Sequence, residues 1–127
     1  MASDVILSVG SNRSYEDAAM AVEWLLTKLE DAKASSLYST PAVQGYGRPY
    51  VNAVVAGKTA LNADELNHSL KQYELQCGRD DQARRDGIVP VDIDIVVWNG
   101  EVIRTWDFRQ NFFKIGYSEL SGSVIEG

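Results

Sequence analysis

An alternating run that ends in Asn-Gly constrains this chain more than any other feature of its sequence. From Val91 to Trp98, β-branched residues alternate with other residues, and this period-two pattern predicts a β-strand. Asn99-Gly100 follows directly, and the pair favours a type I′ turn because both central positions of that turn need positive φ. The sequence therefore predicts a β-hairpin in which residues 101–104 form the returning strand.

Two aspartates, Asp92 and Asp94, lie on this predicted strand and share one of its faces. Alternate residues of a strand are about 6.5 to 7 Å apart and point the same way, so both carboxylates face one region of space. Like charges this close are costly, and a divalent cation relieves the cost. Mg²⁺ commonly takes one or two carboxylates and completes its shell with water and phosphate oxygens. The pair is a candidate Mg²⁺ site, although a solvated strand face explains it equally well.

Arginines upstream of the strand favour the metal interpretation. Arg79, Arg84 and Arg85 belong to a polar segment, 78–87, which begins and ends with glycine and is predicted to be a mobile loop. Guanidinium groups bind phosphate oxygens through paired hydrogen bonds. A loop that places them opposite paired carboxylates is typical of a site for a metal-bound polyphosphate.

The composition of the chain limits the classes of partner. Its 127 residues, 45% of them hydrophobic and 24% charged, are enough for one soluble domain with a core. A net charge of −6 argues against general nucleic-acid binding, because phosphate neutralisation needs a basic face. The sequence has no membrane-spanning apolar run and no signal-peptide pattern. We therefore predict a cytoplasmic protein without a membrane partner, whose single cysteine, Cys77, belongs to the core.

The remaining sequence predicts three more strands and two helices. An apolar run at 5–9 predicts a buried first strand, and the segments 34–40 and 50–59 predict the second and third. Helices are predicted after Ser14 and Asn62, because each is followed three residues later by an acidic residue, as in a capping box.

These elements follow the order β-α-β-β-α-β, with the hairpin strand added at the end. Two helices on one face of an antiparallel sheet make an α+β, ferredoxin-like sandwich. We place a single domain at residues 1–120 and predict a loose tail at 121–127, which is rich in Ser and Gly.

Two polar residues within the predicted elements are candidates for ligand binding. Asn52 is a carboxamide among apolar strand residues, so its donors and acceptor need partners. An amide suits the edge of a heterocycle, and a hydrogen bond within the sheet explains the residue equally well. Glu74 lies near the C-terminal end of a helix, where an acid opposes the helix dipole, and we interpret it as held for a partner such as a ribose hydroxyl.

Five segments together resemble the 6-hydroxymethyl-7,8-dihydropterin pyrophosphokinase family of folate biosynthesis. These segments are Val9-Gly10-Ser11-Asn12, 36–41, 50–55, 74–79 and 91–95. The resemblance covers about residues 5–120 and rests on the order and spacing of the segments, since each alone is weakly specific. It implies a ferredoxin-like fold and transfer of diphosphate from ATP to the hydroxymethyl group of the pterin, with release of AMP.

The resemblance also implies roles for individual residues. Asp92 and Asp94 match the aspartates that hold two Mg²⁺ ions, with ATP as co-substrate. Glu74 and Arg79 match residues on the nucleotide side. The residues that would line the pterin pocket are Thr40, Pro41, Val43, Tyr50, Asn52 and Phe112. Among these, Asn52 would bind the ring edge and Phe112 would stack on the ring.

The sequence departs from the family pattern around the predicted site. Asp86 occupies the position of a loop tryptophan that stacks on the pterin, and Val89 that of an arginine just before the carboxylates. Asp81 occupies the position of another arginine. The usual Pro-His pair and a downstream arginine are also missing, and Arg104 and Gln110 occupy those places.

Two interpretations of these departures stay open. In one, the chain is a divergent Mg²⁺-dependent diphosphotransferase that uses Arg84, Arg85, Arg104 or Arg109 in place of the missing cations. In the other, it is a paralogue that binds pterin or nucleotide with little or no turnover. We predict the enzyme, because both carboxylates and Asn52 are present. The residues that we assign to catalysis are Arg79, Arg84, Arg85, Asp92 and Asp94. Those that we assign to the nucleotide are Glu74, Arg79 and Arg104.

Overall fold

The computed structural model of the protein describes residues 2–126, with side chains described as far as residue 122. In this part of the chain, the strands form a single sheet and the helices lie between them in sequence and after the last strand. In chain order the elements are β1 (Ser3–Ser11), α1 (Tyr15–Lys28), β2 (Glu30–Ala34), β3 (Tyr38–Thr40), β4 (Tyr50–Thr59), α2 (Ala63–Gln76), α3 (Asp81–Arg85), β5 (Asp92–Trp98), β6 (Glu101–Val102), α4 (Thr105–Phe108) and α5 (Asn111–Glu126).

The sheet has the strand order β2-β4-β1-β5-β6, and β3 pairs with another part of β4. Each of these neighbouring pairs is antiparallel. β1 therefore lies at the centre, between β4 and the strand that carries the two aspartates. The predicted α+β, ferredoxin-like arrangement is confirmed. Within the described residues, every helix is too short or too polar to cross a membrane.

The hairpin and both helix starts form as the sequence predicts. Asn99 and Gly100 have φ of 49° and 81°, which a type I′ turn requires. The side chain of Ser14 caps α1 by accepting a hydrogen bond from the backbone of Asp17 at 3.0 Å. Asn62 caps α2 in a complete capping box. The returning strand is shorter than predicted, because the chain turns towards α4 after Val102.

The predicted second strand, 34–40, is wrong, because the structure divides it into β2 and β3. The interruption falls at Ser35, whose N–H donates to Val54 O at 2.8 Å. The N–H of Val54 donates in return to the Ser35 hydroxyl at 2.9 Å, where a regular ladder would use a carbonyl. A side chain thus replaces one backbone acceptor, and the strand ends there.

The predicted loop 78–87 contains the short helix α3, which the sequence analysis did not predict. Asp80 caps this helix by accepting a hydrogen bond from the backbone of Ala83 at 2.9 Å. At the other end of the chain, α5 continues to Glu126, through most of the segment predicted as a loose tail. Residue 127 lies outside the described residues.

One face of the sheet packs against α1 and α2 and contains the larger core. The buried apolar residues of this core are Val5, Leu7, Val9, Ala21, Leu25, Leu29, Ala53, Val55, Leu66, Leu70, Val91, Ile93 and Ile95. Cys77 is partly buried and packs against these residues, in line with its predicted place in the core.

The opposite face is covered by α5, and a glycine of that helix allows the close approach. Phe113 packs there against Val54, Val96 and Val97. A β-carbon at Gly116 would lie 2.6 Å from Cγ2 of Val54, closer than any real contact. Because packing at this position has no spare room, any larger residue there would force α5 or its neighbours to shift.

We expect Gly116→Ala to lower the free energy of unfolding by about 1–2 kcal/mol, because the added methyl overpacks the contact with β4. The matched control is Gly122→Ala in the same helix, where a β-carbon would meet no atom within 4 Å in the described part of the chain. That change should stabilise the protein by about 0.5–1 kcal/mol through helix propensity. Urea denaturation measures both, and a shift of the same sign in the two variants would contradict the packing argument.

Candidate active site

The face of the sheet beneath the start of α5 changes from apolar to polar where β1, β4 and β5 meet. Gly10 of β1 is aligned with Asn52 of β4 on one side and with Asp92 of β5 on the other. Asp94, two residues further along β5, is aligned with Ser8. Since alternate residues share a face, the amide and both carboxylates point to the same side of the sheet.

A cavity of about 340 Å³ opens above this row of residues. Its walls come from the ends of the three strands, from the segment after β3 and from the region where α4 leads into α5. The lining residues are Ser8, Val9, Gly10, Thr40, Pro41, Val43, Gln44, Tyr50, Asn52, Asp92, Asp94, Arg104, Trp106, Asp107 and Phe112.

This cavity brings together most of the residues that the sequence analysis selected. Every residue predicted to line a pterin pocket lines it, namely Thr40, Pro41, Val43, Tyr50, Asn52 and Phe112. The predicted metal ligands and Arg104 line the same cavity. Segments that are far apart in sequence therefore converge on one site, while their roles stay predictions.

Asn52 is buried, with 3% of its surface exposed, and it uses its amide nitrogen within the protein. Nδ2 donates to Oγ1 of Thr40 at 2.7 Å and, more weakly, to the carbonyl of Tyr50 at 3.4 Å. The hydrogen bond within the sheet, which was the alternative explanation for this residue, is therefore present. It also fixes the orientation of the amide, which is what binding of a ring edge requires.

Two aromatic side chains form the wall opposite the strands. The rings of Trp106 and Phe112 have centroids 6.1 Å apart and are tilted by 48°. Trp106 is 56% exposed, so much of its ring is accessible. Trp106 was not predicted as a site residue, and its one signal in the sequence is its position six residues before Phe112, the predicted stacking phenylalanine.

Three cations surround the two carboxylates. Arg79 Nη1 lies 2.8 Å from Asp92 Oδ1. Lys71 Nζ lies 3.3 Å from Asp94 Oδ1, and Arg104 Nη2 lies 4.0 Å from Asp94 Oδ2. Asp92 is the more accessible carboxylate, with 38% of its side chain exposed against 16% for Asp94. These cations offset the repulsion between the two carboxylates, a role that the sequence alone suggested for a metal ion, and the metal site stays a prediction.

The electrostatics of the pair follow from its burial. Burial raises the pKa of Asp94 above its usual value, and the charge of Asp92 raises it further, although Lys71 and Arg104 partly offset both effects. Burial alone would lower the pKa of Lys71. The hydrogen bond to Glu74 and the charges of the two aspartates outweigh burial, so the pKa of Lys71 is raised and its ammonium stays charged.

Glu74 is 4% exposed, and both of its carboxylate oxygens accept hydrogen bonds from the chain itself. Oε1 accepts from Arg79 Nη1 at 2.9 Å. Oε2 accepts from Lys71 Nζ at 2.9 Å and from the backbone N–H of Ile93 at 2.8 Å. The acid near the helix end is thus held by cations and a backbone amide, and its predicted contact with a nucleotide stays a prediction.

Lys71 and Glu74 together cover the outer edge of β5. β6 pairs only with Val97 and Trp98, so it does not reach Ile93. The N–H of Ile93 donates to Glu74, and its carbonyl accepts from Lys71 Nζ at 3.0 Å. Two side chains of α2 thus occupy the place of a neighbouring strand. Lys71 was not predicted as a site residue from the sequence. Its one signal there is its position three residues before Glu74, which places both side chains on the same side of a helix.

The structure does not bring Arg84 and Arg85 to the cavity. Both lie on α3 and bond within that helix, Arg84 to Asp81 at 3.2 Å and Arg85 to Gln82 at 3.0 Å. The Arg84 side chain is 78% exposed. Arg104 does line the cavity, where it is held by a 2.9 Å hydrogen bond to Asp107. It is the arginine best placed to replace a missing cation.

The donor set fits Mg²⁺ better than a metal that needs a full protein cage. Asp92 and Asp94 offer hard oxygens beside an open cavity, where water and phosphate can supply the other ligands. Among the residues that the structure describes, no three His, Cys, Asp or Glu side chains are grouped to hold a metal.

Comparison with known proteins gives a family for the chain. A sequence model of the family described as 7,8-dihydro-6-hydroxymethylpterin-pyrophosphokinase (HPPK) matches residues 6–120. The 2-amino-4-hydroxy-6-hydroxymethyldihydropteridine pyrophosphokinase of Aquifex aeolicus is 35% identical, over 93% of this chain and 78% of its own length. The protein of the same name from Bacillus subtilis is 33% identical, over 77% of this chain and 59% of its own length.

The folate synthesis bifunctional protein of Chlamydia trachomatis is 30% identical over 76% of this chain, which spans 23% of that longer protein. The match to the family model covers nearly the whole chain, apart from a few residues at each end. It includes all five segments that carried the resemblance. The predicted family is confirmed, and the chain belongs to the 7,8-dihydro-6-hydroxymethylpterin-pyrophosphokinase family.

Proposed function

We propose that the protein transfers diphosphate from ATP to the hydroxymethyl group of 6-hydroxymethyl-7,8-dihydropterin and releases AMP, as a step of folate biosynthesis. The observation that carries the proposal is the alignment of Asn52, Gly10 and Asp92 on adjacent strands beneath one cavity. A ligand in this cavity meets an oriented amide at one end and a carboxylate pair at the other. Those are the groups that a pterin ring and a metal-bound polyphosphate need.

The pterin end of the cavity is built for a small, flat heterocycle. A volume of about 340 Å³ suits one fused ring system, and the nucleotide would extend outwards along the charged rim. Asn52 and Thr40 offer polar atoms to the ring edge. Phe112 and Trp106 offer ring faces, so Trp106 supports stacking although the loop position of the family tryptophan holds Asp86.

The charged end would hold the phosphates. Arg79 lies beside Asp92 and Arg104 lies near Asp94, so that both arginines can bind and orient phosphate oxygens. Two Mg²⁺ ions, which we propose are held by Asp92 and Asp94, would neutralise phosphate charge. Phosphoryl transfer depends mainly on positioning and charge stabilisation.

The proposed reaction is a displacement at the β-phosphorus of ATP. A bond forms from the pterin hydroxymethyl oxygen to the β-phosphorus, and the bond from that phosphorus to the bridging α–β oxygen breaks. AMP leaves with the electron pair, and the hydroxyl proton passes to solvent.

The proposed partners are two small molecules, the pterin and ATP. The absence of nucleic-acid and membrane partners stays a prediction, and so does a cytoplasmic location.

A coupled assay tests the proposal. We expect AMP to form when the protein is mixed with hydroxymethyldihydropterin, ATP and Mg²⁺, and to require all three. Controls without pterin and with excess EDTA separate this reaction from ATP hydrolysis. Measurable pterin binding without AMP would contradict the proposal and favour the non-catalytic paralogue.

We expect Asn52→Ala to weaken pterin binding by about 1–3 kcal/mol, the cost of leaving buried polar groups unpaired, with ATP affinity nearly unchanged. Calorimetry with each ligand measures the two affinities. Thr59→Val is the control, because Thr59 is buried on the same strand but does not line the cavity. Equal losses for pterin and ATP would point to a structural role for Asn52.

A further inference from the structure

Lys71 is a cation close to the carboxylate pair, and the proposed function gives it no role. Its Nζ lies 3.3 Å from Asp94 Oδ1 and 4.0 Å from Asp92 Oδ1, and so reaches both aspartates. It lies on α2, whereas the aspartates lie on β5. A single ammonium group therefore bridges the carboxylates that are proposed to hold the metal.

The three donors of this ammonium group have three acceptors. Nζ donates to Glu74 Oε2 at 2.9 Å, to the carbonyl of Ile93 at 3.0 Å and to Asp94 Oδ1 at 3.3 Å. These are carboxylate and carbonyl oxygens, the same type of ligand that a hard divalent cation takes. An ammonium is also a compact point charge. Lys71 thus has the surroundings of a bound cation.

The charges near the pair are close to balance without any metal. Four carboxylates, those of Asp92, Asp94, Glu74 and Asp107, face three cations, Lys71, Arg79 and Arg104. The exposed part of the negative charge is at Asp92, whereas Asp94 and Glu74 are mostly covered. A metal ion that approaches Asp94 from the cavity therefore meets a carboxylate that already has a counter-ion.

We propose that Lys71 is the resident counter-cation of the carboxylate pair and that a divalent metal ion binds Asp92 and Asp94 in competition with its ammonium group. This inference rests on the proposed function, because it takes these aspartates as the metal ligands. In the metal-free protein, Lys71 offsets the repulsion between the two carboxylates. When a metal binds, Lys71 gives up Asp94 but keeps Glu74 and Ile93 as partners.

Competition of this kind has a consequence for the order of binding. The metal alone must displace an attractive charge, so it binds the free protein weakly. A metal that arrives with a polyphosphate brings negatively charged phosphate oxygens. These oxygens can replace Asp94 as a partner of the Lys71 ammonium group. Lys71 would then couple metal binding to nucleotide binding, and both ligands would strengthen each other's affinity equally.

The test is to measure Mn²⁺ affinity in the absence of nucleotide. Electron paramagnetic resonance reports the concentration of free Mn²⁺ during the titration. Lys71→Met keeps the unbranched side chain and removes the charge. We expect it to bind Mn²⁺ about tenfold or more tightly than the unmodified protein, because a cation within 4 Å of the ligands is lost. Lys71→Gln also removes the charge but keeps hydrogen-bond donors for Glu74 and Ile93. We expect it to tighten Mn²⁺ binding in the same way, and it serves as the test if Lys71→Met folds poorly.

Lys58→Met is the matched control. Lys58 pairs with Asp4 at 2.9 Å and lies six positions along β4 from Asn52, so the variant has the same change in net charge far from the site. We expect its Mn²⁺ affinity to stay within about twofold of the unmodified protein, because salt screens distant charges. In EDTA, Lys71→Met should melt at a lower temperature than Lys58→Met, and Mn²⁺ should restore more of the loss.

Two outcomes separate this inference from the proposed function. Unchanged or weaker Mn²⁺ binding by both Lys71 variants, while Asp92→Asn loses binding, would overturn the role of Lys71 alone. Unchanged Mn²⁺ binding by Asp92→Asn would show that the aspartates are not the metal ligands, which overturns the metal site of the proposed function and this inference with it.

Discussion

Asp92→Asn and Asp94→Asn are each expected to abolish Mg²⁺-dependent ATP binding and to lower AMP formation by a factor of about 10² to 10³ or more. Asparagine keeps the size of the side chain but removes the charge that would hold a metal ion against phosphate. Pterin binding should fall far less, since the residues proposed to contact the ring, Thr40, Asn52, Trp106 and Phe112, lie outside β5.

Calorimetry with ATP, with and without Mg²⁺, measures the first effect, and the AMP assay measures the second. Asp81→Asn is the control, because Asp81 pairs with Arg84 on the exposed surface of α3 and its loss changes the net charge equally. ATP binding by either site variant with the metal dependence of the unmodified protein would contradict the assignment of the metal ligands.

The same variants carry a prediction about stability. The pKa of Asp94 is raised in the folded protein by burial and by Asp92, so its charged form disfavours folding at neutral pH. In EDTA at pH 7, Asp94→Asn should therefore be at least as stable as the unmodified protein. The difference should vanish as the pH falls and Asp94 takes up a proton. Urea denaturation at several pH values tests this.

Glu74→Ala is expected to lower the free energy of unfolding by about 3 kcal/mol, because it removes the shared acceptor of Arg79, Lys71 and the Ile93 amide. The value lies at the low end for a broken buried ion pair, since Lys71 and Arg79 keep some access to water. Urea or guanidinium denaturation measures the loss.

Glu65→Gln is the matched control on the same helix. Glu65 completes the exposed capping box of α2, and glutamine can keep that hydrogen bond, so little change is expected. A loss below about 1 kcal/mol in Glu74→Ala would mean that other contacts hold the edge of β5. In that case Glu74 would be free for the nucleotide, as the sequence analysis expected.

Features with a local cause were predictable from the sequence. The Asn99-Gly100 turn needs positive φ at both positions, and the two-residue period places Asp92 and Asp94 on one face whatever their neighbours are. The caps at Ser14 and Asn62 likewise depend on side chains within three residues. The order and spacing of the five segments then identified the family.

Features that depend on long-range contacts were not predictable. The division of the second strand depends on a hydroxyl, that of Ser35, which reaches Val54 in another strand. The inward role of Glu74 and Lys71 depends on where β6 ends, which the sequence of α2 does not reveal. Arg84 and Arg85 lie away from the cavity because they belong to the short helix α3. The sequence of this segment predicted a loop instead of a helix.

The cover of β5 by α2 links the chemistry of the site to the solubility of the protein. An open strand edge is a template for pairing with another chain. Here the backbone of Ile93 is closed by Glu74 and Lys71, the same groups that set the charge around the carboxylates. Substitutions of Glu74 or Lys71 by residues that cannot make these hydrogen bonds therefore also expose a backbone edge. Such variants should self-associate at concentrations where the unmodified protein stays dispersed.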